Sequence, residues 1–126
     1  MAKQRFIREG DRLDDDEVVV VRGGPIDIES VCRDAIRYHD VYGGFGISVF
    51  AARDITVDEL AQRVPLVRFA LLTLVRVGAL RLAGFRLEAT GRDPRHFTVA
   101  FDELDAGVAS LVRCEQVRWE NPYHEA

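Results

Sequence analysis

The segment Phe85–Phe101, FRLEATGRDPRHFTVAF, decides the fold. In its first half Phe85, Leu87 and Ala89 alternate with Arg86, Glu88 and Thr90; in its second, Phe97, Val99 and Phe101 repeat the pattern. Period-two alternation marks a strand with one buried face, and Gly91-Arg92-Asp93-Pro94 supplies turn chemistry between the halves. The segment reads as a β-hairpin. Upstream, Val18–Val21 and Gly46–Ala52 each read as a strand followed by a helix. Phe69–Val77 (FALLTLVRV) is a nearly continuous apolar run, the kind that lies centrally in a sheet. A hairpin that follows two strand–helix units argues for the α+β class over a doubly wound parallel sheet. The expected architecture is a single α+β domain with a mixed central sheet, a C-terminal hairpin and three packed helices.

The helix after Val18–Val21 is well marked. Asp27 can cap it, and Ile28, Val31, Cys32, Ala35, Ile36 and His39 follow the i, i+3, i+4 spacing of one buried face before Gly43–Gly44 stop it. Thr56-Val57-Asp58-Glu59 has the capping-box pattern and opens a short helix through Val64, ended by Pro65. Gly78–Gly84 is too short for more than a helical turn. Asp102 caps a last helix whose stripe is Leu104, Val108, Leu111 and Val112, and Val117–Trp119 is a candidate edge strand. Residues 1–17 end in Asp14-Asp15-Asp16-Glu17 and offer only Phe6, Ile7 and Leu13 to a core. They read as a flexible acidic arm, with residues 18–126 as the domain.

Composition narrows the function classes. The chain has 126 residues, 48% of them apolar and 30% charged, as in a soluble globular domain. Its net charge of −4 lacks the basic excess of a sequence-independent nucleic-acid binder, so a nucleic-acid partner is not expected. Cys32 and Cys114 show no CxxC spacing, and His39, His96 and His124 are scattered, so no metal site is expected. The two isolated cysteines fit buried thiols in a reducing compartment. No apolar stretch is long enough to span a membrane and the start has no signal-peptide core, so a cytoplasmic location is expected.

Arg22 stands between an apolar run and the pair Gly23–Gly24. It has two readings: an end-of-sheet cation paired with an acid such as Asp27, or a forked clamp for a phosphate or carboxylate, with the glycines permitting close approach. Tyr42-Gly43-Gly44-Phe45-Gly46 reads either as a helix stop with a tight turn or as a loop able to stack on a flat ring. Ser48 sits among Ile47, Val49 and Phe50, where its hydroxyl needs a partner, and it lacks a G-x-S-x-G elbow. His39 reads as a buried, hydrogen-bonded core histidine and His96 as an exposed strand residue. Glu115 and Glu120 bracket the last strand at a spacing that sends them to opposite faces, so at most one can share a cleft with Arg22.

Val21-Arg22-Gly23 and Gly46-Ile47-Ser48, in this order and joined by a helix, resemble the compact ADP-ribosyltransferase-type fold of RES-domain toxins. The resemblance implies an NAD-using transferase or an NAD-hydrolysing effector of toxin or defence type. On that resemblance Arg22 and Gly23 bind the cofactor's phosphates, Tyr42 or Phe45 stacks on a ring and Ser48 hydrogen-bonds near the nicotinamide. A late glutamate orients the ribose: Glu120 or Glu115 as the catalytic residue, with Glu88 third. The chain has no S-T-S triplet, a departure from the family pattern. Two other classes compete. One is a non-catalytic protein-interaction domain, or subunit of a larger complex, that docks a partner through the N-terminal arm or the Trp119–Tyr123 tail. The other is a nuclease-like effector using His96 with Arg92 and Arg95, against which the acidic balance counts.

Overall fold

The computed structural model describes residues 2–125. Six strands, β1 (Val19–Gly23), β2 (Phe45–Ala51), β3 (Leu71–Arg76), β4 (Arg86–Ala89), β5 (His96–Phe101) and β6 (Val117–Glu120), form one sheet in the order β4-β5-β2-β1-β3-β6. The helices are α1 (Ile28–Tyr42), α2 (Val57–Ala61), α3 (Val77–Leu82) and α4 (Leu104–Arg113), with a 3-10 turn at Leu66–Arg68. The class is α+β, and the expected hairpin is β4–β5. Two details of the expectation are corrected. All strand pairings among the described residues are antiparallel, so the sheet is not mixed. The segment read as a single turn is the six-residue helix α3, which makes four α-helices among the described residues where three were expected.

Strand alternation divides the core between the two faces of the sheet. Val20, Ile47, Val49, Val75, Phe97 and Val99 face one side and are covered by Val31 and Ala35 of α1, Leu80 of α3 and Val108 and Leu111 of α4. Val21 and Leu72 face the other, under Leu60 and Ala61 of α2 and Leu66 of the 3-10 turn. Two helix starts are set by the capping residues read from sequence. Asp27 accepts from the Ser30 amide at 2.8 Å, and Thr56 accepts from the Glu59 amide at 3.0 Å. The Ser30 hydroxyl and amide also hold the Asp27 carboxyl below its usual range. α4 approaches the sheet closely because Gly107 has no side chain: a Cβ there would lie 2.1 Å from the Phe101 ring.

The arm packs against the domain, which corrects the expectation of a loose segment. Leu13 is buried in the larger core, Ile7 bridges to Thr90, and the Arg8 amide donates to Ala89. The Arg8 guanidinium also donates to the carbonyls of Thr90 (2.6 Å), Gly91 (3.0 Å) and His96 (2.8 Å). The physical reason is polar: one forked cation satisfies several carbonyls where the hairpin turns, and a search for apolar periodicity does not register such an anchor. α1 buries a narrower stripe than its spacing suggested, since Ile28 and Ile36 are exposed and Val31 and Ala35 carry the packing.

Candidate functional site

A cleft of about 340 Å³ opens between β1 and β2. The two strands pair only at Val20↔Ala51 and Val21↔Phe50. Continued in register, Gly23 would stand opposite Ser48, but no pair forms there. The alternation of the ladders shows what this leaves open. The Ala52 amide bonds Val19 across this pair, so the main-chain groups of Val19, Val21 and Gly23 are directed toward β2. The Ala51 amide bonds Arg95 on the far side, so Ser48 and Phe50 are directed toward β1. The main-chain donors and acceptors of Gly23 and Ser48 therefore face one another across a gap.

The opening lets both sides of the sheet contribute to one cleft. Arg22 shares its face with Val20 and meets α1, while Ser48 and Phe50 lie on the opposite face with Leu66 and Phe69. α1 runs past the gap and adds Asp34, Arg37, Tyr38 and Val41, a stripe at i, i+3, i+4 and i+7. Gly23 closes the floor, with the Phe69 ring packed so tightly that a Cβ would lie 2.6 Å from it.

Arg22 is 4% exposed, and its guanidinium is fixed at two points. Nε donates to the Pro25 carbonyl at 3.0 Å, and Nη2 donates to Asp34 Oδ2 at 2.9 Å. The acid is Asp34 on α1, where the sequence pointed to Asp27. Nη1 has no hydrogen-bond partner among the described residues, and Arg22 lines the cleft. Arg37 is exposed and forms no ion pair among the described residues. Two arginines against Asp34 leave the cleft with one net positive charge. Tyr42 (38% exposed), Phe50 and Phe69 (39% exposed) give it flat apolar walls.

Of the residues singled out from sequence, Arg22, Gly23, Tyr42 and Ser48 line this one cleft. Phe45 lines the neighbouring cavity of about 350 Å³, beside the Arg5–Glu88 ion pair, and stacks on His39 at 4.5 Å between ring centroids. Tyr38 and Tyr42 border both cavities. Glu115 and Glu120 are outside the cleft. Glu115 is exposed beside Arg76. Glu120 pairs with Leu71 on β6, two strand spacings, about 10 Å, beyond β1. His39 is exposed, not buried. His96 is half-buried and not exposed: its Nδ1 lies 2.9 Å from the Thr90 carbonyl, and burial pushes its imidazole down from the usual histidine value.

Asp34, Arg37, Tyr38 and Phe69 were not identified from sequence. The sequence reading followed the apolar stripe of α1 and gave no reading of the face that carries residues 34, 37, 38 and 41. The Trp119–Tyr123 tail serves the fold itself. The Asn121 side chain donates to the carbonyls of Ala61 and Leu66 at 3.2 Å each, and the Tyr123 hydroxyl donates to Asp58 at 3.1 Å, stapling α2 and the 3-10 turn onto the sheet. No helix among the described residues is long and apolar enough to cross a membrane. Compared with known proteins, the chain matches no family model, no curated protein and no solved structure.

Proposed function

We propose that the cleft between β1 and β2 binds a nucleotide-class ligand, an anion carrying a flat ring, with NAD as the specific candidate. The observation that carries this reading is the break in pairing after Val21↔Phe50, which exposes the main chain of Gly23 and Ser48 beside the buried Arg22. Arg22 Nη1 and Arg37 supply charge-assisted donors for a phosphate. Phe69 and Tyr42 offer surfaces for a ring, and the Ser48 hydroxyl, exposed on the cleft wall, is free to bond a ribose or amide. On the resemblance to the ADP-ribosyltransferase-type fold, chemistry on NAD at the ribose would use a carboxylate beside it. The carboxylate of this cleft is Asp34, already engaged by Arg22. The geometry therefore supports binding more directly than transfer or hydrolysis.

Titration calorimetry of the folded protein with NAD, AMP and nicotinamide riboside tests the reading. NAD and AMP should bind more tightly than the phosphate-free riboside, whose pyridinium ring is a cation, and Arg22→Met should weaken NAD by roughly tenfold or more, the worth of a charged hydrogen bond. Nicotinamide release is read in the same samples. If NAD is neither bound nor consumed by well-folded protein, the nucleotide reading falls and the interaction domain takes its place.

A further inference from the structure

The outer edge of β6 carries a self-complementary pattern. The Asn121 amide donates to the carbonyl of Ala70, the residue just before β3, at 2.8 Å, which fixes the alternation of this ladder. Trp119, opposite Leu72, turns its main-chain groups inward to β3. Arg118 and Glu120, opposite Thr73 and Leu71, turn theirs outward. Among the described residues nothing bonds those outward groups. Both side chains are exposed, and neither forms an ion pair among the described residues.

Edge strands are usually blunted by charge, because like charges brought opposite one another repel. Here the two charges have opposite sign and stand symmetrically about Trp119. We propose that two copies of this chain pair edge to edge through β6, antiparallel about a two-fold axis at Trp119, extending the six-stranded sheet across both copies. In that register Arg118 of one copy stands opposite Glu120 of the other, twice. These are the residues with outward main-chain groups, so each pair forms both ladder hydrogen bonds and an ion pair on one face. Trp119 stands opposite its own counterpart at the closely spaced, non-hydrogen-bonded position, on the face it shares with Leu72. Shifting the register by one residue to centre on Arg118 or Glu120 sets like charges opposite one another. The charge pattern thus favours the alignment centred on Trp119 over both of its neighbours.

The contact is a four-residue strand, so dimerisation in the roughly micromolar range or weaker is expected. Sedimentation velocity over a dilution series tests it, using wild type, Arg118→Glu, Glu120→Arg and the double exchange. Wild type should shift toward twice the monomer mass as concentration rises. Each single reversal should weaken dimerisation by tenfold or more, and the double exchange should restore it, because the opposing signs are re-established. Both positions of the cycle carry exposed side chains, and circular dichroism checks that each variant is folded. A wild type that stays monomeric throughout the series overturns the proposal. So do single reversals that dimerise as well as wild type, or a double exchange that fails to recover.

Discussion

Removing the Asp34 carboxylate should destabilise the protein more than removing the arginine it holds. Arg22 is 4% exposed, and Asp34→Ala leaves its guanidinium with only the Pro25 carbonyl among the contacts now made by Nε and Nη2. Leaving a fully buried charge unpaired costs roughly 3–5 kcal/mol. The Asp34 side chain is 30% exposed, so water reaches the pair and reduces this penalty. A loss of about 2 kcal/mol follows, equivalent to a midpoint ~8 °C lower for a domain of this size. Arg22→Met removes the charge together with its need for a partner and keeps most of the side-chain volume, so its loss should be about 1 kcal/mol or less. Thermal and urea unfolding followed by circular dichroism measure both variants. The reasoning is refuted if Asp34→Ala lies within about 0.5 kcal/mol of wild type, the behaviour of an exposed pair. It is also refuted if Arg22→Met is the more damaging change.

Gly107→Ala should be destabilising by about 2 kcal/mol despite the better helix propensity of alanine, because the new Cβ meets Phe101 at 2.1 Å in a ring cluster with Phe45 and Phe85; a variant as stable as wild type in urea would show that α4 can lift off the sheet at no penalty. Burial lowers the His96 pKa from 6.5, so the unfolded chain takes up that proton first as the pH falls. The stability held by the neutral ring is complete above 6.5 and declines as pH drops from there toward the folded value. His96→Gln should flatten that limb of a urea-midpoint series run between about pH 7 and pH 5, and an unchanged slope would remove His96 from the account.

The hairpin was legible in sequence because alternation and turn chemistry are local, and the caps at Asp27 and Thr56 were legible for the same reason. Strand direction was not. A helix between two strands ordinarily returns the chain for a parallel pairing, whereas α1 joins β1 and β2 at one end of the sheet as antiparallel neighbours. α1 is about 22 Å long, and it joins strand ends that a regular ladder would hold about 5 Å apart. At that end the strands diverge. Antiparallel pairing puts the end of β1 beside the start of β2, which is how Arg22, Tyr42 and Ser48 come to one cleft; parallel neighbours would have held them at opposite ends. The Asp34 partner and the Phe69 wall depend on how elements pack, and the docking of the arm depends on carbonyls gathered by Arg8. None of these leaves a periodic trace in the chain.

The most direct test of the nucleotide-binding cleft is a two-dimensional amide NMR titration of the isotopically labelled protein with NAD. The account predicts that the Gly23 and Ser48 amides shift most, with Arg22, Arg37 and Tyr42 beside them, while the β6 amides Val117–Glu120 remain where they are. A spectrum unchanged at millimolar NAD, or shifts concentrated outside the gap between β1 and β2, would contradict it.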